Sequence, residues 1–466
     1  MSGLFGNLET SKRALNAHQA GISTTSHNIA NSDTEGYSRQ QVVLKSTLPE
    51  NKIFGQVGSG VDIKEIKRQT DKLLYDHYIY ELGQSGEWDR KDTLLQELEA
   101  IMNEPSDFGM SKNMNEFFNV WSDLANHPEL KSLKISVIEK TKNMTDNFHR
   151  LDSQLNNLRY RIEEQVVDRV ERFNELAEEV RKLNIGVANV EYSQNLHAND
   201  LRDQRDKLVA EMAQIGDVKA TEMKGGMVKV TLGGMSVVES DQIYKIELNK
   251  KLSTFDYDRL GVVFPDFMNK TARIEGGELK GLMDIRDDYI VEQMKKLDAM
   301  AIAFVQEVNT LHRKGYGSEN QLYSDIPFFN TVISGARDIQ VNMQLEKTPE
   351  LVAASATGAP GDNQIALAIS QLKDQKVMEN GTMTFSRYYE TIINNVGLKA
   401  DQATKNKKNQ DILTEQVKNF KESASGVQLD AELTNLIRLQ SAYQAAARVV
   451  TTVDKLLDTI INRMGG

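Results

Sequence analysis

The sequence predicts a mainly α-helical protein with a small β domain. Its architecture is discontinuous and nested: a terminal coiled coil, a long-helix bundle and an antiparallel β domain at the far end of the excursion. Three observations carry this expectation. Apolar residues recur every seven positions at both ends of the chain, at Leu8, Leu15, Ile22 and Ile29 and again at Leu436, Tyr443, Val450 and Leu457, the spacing of a helix seam that meets another helix. The long stretches between them repeat in steps of three and four. Residues 216–277 instead alternate in short runs separated by Gly-Gly pairs, as hairpin strands do.

Composition narrows the function classes. Of 466 residues, 39% are hydrophobic, and the mean hydropathy of -0.48 is low for one compact globule and suits long exposed helices. An elongated shape follows. The net charge of -11 comes with no basic block, which argues against nucleic acid and against an anionic membrane surface. The chain has no cysteine, so disulfides and thiolate metal sites are excluded. No run approaches the ~18 apolar residues of a membrane-inserted span. The opening Met1-Ser2-Gly3-Leu4-Phe5-Gly6 lacks the basic and apolar regions of a cleaved secretory signal, and taken alone predicts a cytoplasmic protein. Neither a nucleophile–base pair, nor H-E-x-x-H, nor a phosphate-binding loop is present. The expectation is a protein that is not an enzyme, with no catalytic residue, metal or cofactor.

In chain order, a first helix over Leu4–Ala30 carries the thin seam of Leu8, Leu15, Ile22 and Ile29. Its companion line of Leu4, Ser11, His18 and Thr25 is mostly polar, so this helix needs a partner to persist. It stops in Asn28-Ile29-Ala30-Asn31-Ser32-Asp33-Thr34-Glu35-Gly36-Tyr37, where Asn31 suits a left-handed cap and Gly36 a positive φ. Gln40, Val42 and Leu44 then alternate as a strand. Residues 45–61 read as an irregular connector, and a helix restarts near Asp62 with Ile63, Ile66, Leu73 and Leu74, ending at Pro105 and Gly109. Phe117–Pro128 is a short aromatic helix for the core. Leu130–Val190 is the longest periodic stretch, with Leu151, Leu155, Leu158, Ile162 and Val166 among its stripe. The charged run Asn199–Leu208 reads as ion pairs rather than acid–base chemistry.

After the β segment, one helix spans Glu278–Leu311, and about thirty extended residues separate Gly317 from Glu346. A helix over Thr384–Lys421, apolar at its ends and polar in its middle, is expected to pair with the one around Leu151–Leu183. In the last helix Asp430 serves as N-cap, and Leu433, Ala447 and Ile461 flank the stripe of Leu436, Tyr443, Val450 and Leu457. The expected domains are 1–60 with 425–466 as the coiled coil, 61–215 with 278–424 as the helical bundle, and 216–277 as the β domain. The expected assembly interface is Leu8, Leu15, Ile22, Ile29, Leu433, Leu436, Tyr443, Ala447, Val450, Leu457 and Ile461.

Several of these stretches together resemble one family. Ala14-Leu15-Asn16-Ala17-His18-Gln19-Ala20-Gly21-Ile22, followed by Asn28, Asn31, Thr34, Gly36, Tyr37 and Arg39 in their order, is similar to the N-terminal signature of the bacterial flagellar axial proteins. Tyr37-Ser38-Arg39-Gln40, the aromatic element Phe117–Pro128, Asp203-Gln204-Arg205-Asp206 and the close Ser425–Asp430 with Gln440–Arg448 resemble its hook-associated, FlgK-type branch. The resemblance implies a structural subunit at the junction between hook and filament, assembled helically with itself. It also implies contacts with the hook protein, the second hook-filament junction protein and an export chaperone and apparatus. The implied location is extracellular, in the flagellum, without a cleaved signal. Another axial subunit (hook, rod or second junction protein), or a secreted adhesin or type III translocator, are the alternatives. A large β domain that many relatives insert after Tyr316 is expected to be absent or vestigial.

Overall fold

Side-chain periodicity and backbone agree through most of the chain and part company where polar residues decide the pairing. The computed structural model describes residues 2–52, 55–102, 109–194, 196–252, 257–317 and 325–459. The expected helix stop Pro105 and the seam residue Ile461 lie outside these. Helix α1 (Ser2–Ala30) ends in a turn whose Gly36 has φ +84, a conformation glycine adopts without steric cost. Asn31 is not left-handed as expected. Its side-chain amide donates to His27 O at 3.0 Å and its backbone N–H to the same oxygen at 3.1 Å, so a side chain satisfies the last carbonyls and the backbone need not change hand.

Strand β1 (Gln40–Ser46) leads into a small hairpin, β2 (Glu50–Lys52) and β3 (Gly55–Val57), and returns as β4 (Val61–Arg68). The expectation of a helix from Asp62 fails here, because Asp62, Ile63 and Ile66 lie in β4, antiparallel to β1. A bulge between Val43 and Leu44 sets Ile66 opposite Val42 and Ile63 opposite Leu44, so two isoleucines at helical spacing both find strand partners. The expected border after residue 60 therefore falls inside a single ribbon. Helix α2 (Lys72–Met102) begins only after it.

Helices α3 (Met110–Asn126), α4 (Lys131–Gln194) and α5 (Asn199–Ile215) follow. Phe117, Trp121 and Leu124 of α3 are fully buried, as are Phe148, Leu155, Leu158, Ile162, Val166, Phe173 and Leu176 of α4. Phe117 meets Phe304 and Trp121 meets Phe328 edge-on, at 4.9 and 5.3 Å between ring centroids, an arrangement that aligns ring edges with ring faces. The aromatic element thus sits in the core as the sequence implied.

At the far end of α4 lie β5 (Val218–Glu222), β6 (Val228–Leu232), β7 (Met235–Glu239) and β8 (Gln242–Ile243), antiparallel in that order. They are followed by β9 (Glu247–Leu252), β10 (Asp258–Phe264) and β11 (Lys270–Thr271), with β10 central. Asn184 of α4, wholly buried, donates to Val228 O at 2.8 Å and accepts from Val228 N at 3.0 Å. A helix side chain thereby takes the place of a strand neighbour.

The helix expected over Glu278–Leu311 is interrupted. Helix α6 (Gly277–Asp284) passes through one π turn, Ile285–Tyr289, before α7 (Ile290–His312). The extra residue of a π turn rotates the side chains that follow. Here Arg286, 2% exposed, reaches Glu163 at 2.7 Å and Asp258 at 2.8 Å, tying β10 to α4. His312 closes α7 in the core: its Nδ1 lies 2.8 Å from Ile326 O, and its Nε2 accepts from Ala353 N at 2.9 Å. Burial pushes its pKa down to about 4.

Residues 325–342 are irregular yet packed, with Phe328, Phe329, Ile339 and Val341 buried, and α8 (Met343–Lys347) and α9 (Gln364–Gln371) complete this return. Helix α10 (Phe385–Ser425) then runs along α2 and not along α4 as expected. Thr404 donates to Asp92 at 2.6 Å, Lys407 pairs with Asp89 at 2.6 Å, and Gln410 donates to the Glu81 carbonyl at 3.2 Å. The polar middle of α10 selects the helix that offers acids. Helix α11 (Leu429–Asp458) packs on α1.

Candidate assembly interface

The two terminal helices run antiparallel in one register. Asn28 Nδ2 donates to Glu432 Oε2 at 3.3 Å, Asn435 Nδ2 donates to Thr25 Oγ1 at 3.2 Å, and a methyl group placed on Gly21 would stand 3.1 Å from the Leu439 side chain. Each step along α1 is matched by an equal step back along α11. The innermost residues of α1 are Ser11, Ala17, Gly21, Thr24, Thr25 and Asn28, all buried. Of the expected companion seam, Ser11 and Thr25 face the partner, and Ala17, Gly21, Thr24 and Asn28 complete the contact line. Leu8, Leu15, Ile22 and Ile29 are half-buried beside it.

On α11 the stripe is displaced from the inward line in the same sense, by four residues or about 40° from Glu432 to Leu436 and from Val453 to Leu457. Glu432 and Val453 are buried with Leu439 and Ala446 half-buried on the same line, and Leu436, Ala447, Val450 and Leu457 are half-buried next to it. One residue turns a helix by about 100°, and a turn in the same sense on two antiparallel helices brings both stripes to one side of the pair. The two apolar stripes thus form a shared flank. Leu433 and Tyr443 stand out from it at 47% and 36% exposure, and Leu429, Ile437, Val449 and Leu456 are also exposed. An apolar surface of this kind on a helix pair is suited to burial against a further protein surface.

The signature stretch builds the joint between this pair and the body. Asn28, 1% exposed, donates to Gln40 O and accepts from Gln40 N, both at 2.9 Å, and accepts from the Tyr37 hydroxyl at 2.8 Å. It serves Gln40 as a strand neighbour would, satisfying backbone groups that burial would otherwise leave unpaired. Thr34 Oγ1 donates to Asn31 Oδ1 at 3.2 Å and keeps the turn closed. Arg39 Nε donates to Glu432 Oε1 at 2.6 Å, and Arg39 N donates to Ser425 O at 2.8 Å. Burial, then Asp200, Asp203 and Glu432, hold the Tyr37 hydroxyl well above the usual phenol range.

On the body side, the charged run of α5 receives the joint. Ser38 N donates to Asp203 Oδ2 at 2.9 Å, Gln40 Nε2 donates to Asp200 Oδ1 at 2.7 Å, and Asn199 Nδ2 donates to Ile66 O at 2.9 Å. Arg68 of β4 pairs with both Asp203 and Asp206 at 2.7 Å. Burial works to lower the pKa of Arg68, but Asp206 and Asp203 outweigh it and hold it raised. Arg205, 1% exposed, donates to Gly226 O at 2.7 Å, and Arg202 holds Glu191 through two bonds at 2.6 and 2.7 Å. The ion pairs expected of Asn199–Leu208 are therefore present, and they join four elements. A cleft of about 310 Å³ beside them is lined by Arg68, Tyr75, Arg205, Asp206, Lys418 and Lys421 among others.

Sequence reasoning brought together Asn28, Tyr37 and Arg39 but missed Glu432, Arg68 and the inward Gly21–Thr25 edge. One signal for Glu432 was available. It sits seven residues before Leu439, with Ala446 and Val453 continuing the same spacing, an acid in an otherwise apolar line. Among the described residues, no group of three His, Asp or Glu side chains is placed to hold a metal ion. No helix among them is long and apolar enough to cross a membrane.

Three segments of the chain match known family models. Residues 95–329 match the model of the flagellar hook-associated protein FlgK helical domain. Residues 8–37 match that of the flagella basal body rod protein, and 422–464 that of the flagellar basal body rod FlgEFG protein C-terminal region. Flagellar hook-associated protein 1 of Bacillus subtilis is 30% identical over 506 aligned positions covering 100% of this chain and 99% of that protein. Its Escherichia coli counterpart is 23% identical over 551 positions, covering 99% and 100%. Both alignments are longer than the 466 residues of this chain, so the relatives carry additional segments. The solved flagellar hook junction protein FlgK from Burkholderia pseudomallei superposes with a TM-score of 0.64 at 15% identity over 75% of this chain and 100% of that one, which shows a common fold. The chain belongs to the flagellar hook-associated protein 1 (FlgK) family, structural components of the bacterial flagellum.

Proposed function

We propose that this protein is the subunit that joins hook to filament, and that its chemistry is association rather than catalysis. The observation that carries the reading is the shared flank of Leu8, Leu15, Ile22 and Ile29 with Leu436, Ala447, Val450 and Leu457, bordered by exposed Leu433 and Tyr443. Each large aliphatic side chain taken from water contributes about 1.5–3 kcal/mol, so burial against neighbouring copies offsets the cost of ordering two thinly packed helices. Subunits that meet head to tail build helical or tubular assemblies. The residues of this flank, with Ile461, are the proposed contacts to further copies, the hook protein and the second junction protein.

The subunit is taken to leave the cell through the flagellar export apparatus without a cleaved signal and to reside outside it. A chaperone masks the apolar face of α11 before export; a pull-down unaffected by deletion of residues 430–466 would refute that step. The division into coil, bundle and β domain stands as a proposal, with the first border moved beyond β4. The expectation that an outer β domain after Tyr316 is absent or vestigial stands as part of this proposal. Electron microscopy of a deletion strain tests the main reading. Hooks without filaments are expected, and filaments of normal number and length overturn it.

A further inference from the structure

The line of α1 that faces α11 carries Ser11, Ala17, Gly21, Thr24 and Thr25, small residues that fit many neighbours equally well. The facing line of α11 repeats Leu439, Ala446 and Val453 every seven residues. Sliding α11 by seven would set Leu439 opposite Asn28 and Ala446 opposite Gly21, and would keep the seven-residue line of α11 against α1 over the turns that still overlap. Two residues tell the registers apart: Asn435, which bonds Thr25 at 3.2 Å, and the buried residue at the start of the line. Glu432, 1% exposed, is held by Arg39 Nε at 2.6 Å and by Asn28 Nδ2 at 3.3 Å. After the slide, its carboxylate would lose both donors and Asn28 would face a leucine.

We infer that Glu432, clamped between Asn28 and Arg39, is the register pin of the terminal helix pair. It decides which turn of α11 meets which turn of α1, and the apolar stripes supply adhesion without that choice. A single buried polar residue sets register in coiled coils by the same logic, since the wrong alignment strands it. The pin also fixes the pair to the body. Arg39 N donates to Ser425 O at 2.8 Å, and the neighbouring Ser38 N is bound to Asp203, so coil alignment and coil position rest on adjacent residues. Glu432 acts here as a positioning residue.

The natural absence of cysteine permits a direct test in the full-length chain. Thr25→Cys with Asn435→Cys reports the observed register, and Thr25→Cys with Ala442→Cys reports the alignment slid by seven. The first pair also removes the one side-chain bond between α1 and α11 that could substitute for the pin. Under mild oxidation, the parent closes the first pair and not the second. With Glu432→Leu, closure of the first falls by roughly tenfold or more, the scale expected when one partner of a buried charge pair is removed, and the second pair closes. Arg39→Glu behaves alike, and combining Arg39→Glu with Glu432→Arg restores the first pair. Glu432→Gln, which keeps the geometry, gives an intermediate result with unchanged melting of the helical body. Equal closure of both pairs in the parent, closure of neither, or a Glu432→Leu chain still restricted to the first pair overturns the inference. The readout is intramolecular, so a failure of the junction reading leaves it standing.

Discussion

Replacing Asn28 by alanine removes four hydrogen bonds from one buried side chain. Its partners are Gln40 N, Gln40 O, the Tyr37 hydroxyl and Glu432. Tyr37 and Glu432 retain other neighbours, but the backbone pair of Gln40, itself 9% exposed, is left without its match. An unsatisfied buried group costs about 1–3 kcal/mol, so the joint weakens by about 2–4 kcal/mol. The loss is local, because α4 and its core do not contain these bonds. Amide exchange of the full-length subunit is the assay, and at about 1.4 kcal/mol per tenfold, peptides across residues 22–44 and 429–443 exchange roughly 30 to 700 times faster than in the parent. Peptides of α4 stay unchanged. Unaltered exchange at the joint, or equal acceleration across α4, refutes the role given to Asn28.

Three further outcomes follow from the geometry. His312 is buried neutral with a pKa pushed down to about 4 against about 6.5 for a free imidazole. The unfolded chain thus takes up the proton first, and the stability involved is complete above pH ~6.5 and drains away as pH falls through about 4. Urea titrations should show the parent losing about 3 kcal/mol relative to His312→Gln over that window, and parallel profiles would count against it. A methyl group on Gly86 would fall inside the van der Waals sphere of the Gln214 carbonyl oxygen, so Gly86→Ala should cost about 1–3 kcal/mol by overpacking; an unshifted denaturation midpoint would show that α2 and α5 separate freely. Leu436→Asp should abolish filament attachment while the melting of the helical body is kept, and normal swimming by that strain would remove Leu436 from the interface.

Legibility tracked the size and polarity of the residues concerned. Phe117, Trp121 and the α4 stripe were readable because large apolar side chains at helical spacing have few places to go but a core. The segment Val61–Arg68 was not. Its isoleucines satisfy a helical and an alternating pattern alike, and the deciding partner is β1, some twenty residues upstream. The partner of α10 was misjudged for a related reason: its polar middle looks like solvent until Glu81, Asp89 and Asp92 are seen opposite it. At the termini, leucine repeats drew attention to the flank, while serine, glycine and threonine, which carry no hydropathy signal, formed the contact line. Glu432 lies in the first turn of α11, where an acid needs no special partner. Its side chain is instead 1% exposed, and the distant Asn28 and Arg39 explain why.

Helix α4 has one more consequence. Its 64 residues at about 1.5 Å each make an unbroken strut of about 96 Å. Lys134, near one end, donates to Val352 O at 2.9 Å, and Asn184, near the other, grips Val228. The returning loop, the aromatic core, the π turn and the β strands are all fastened along this one member. A load applied at the terminal coil is therefore passed through α5 and Arg68 to elements that share a single long axis.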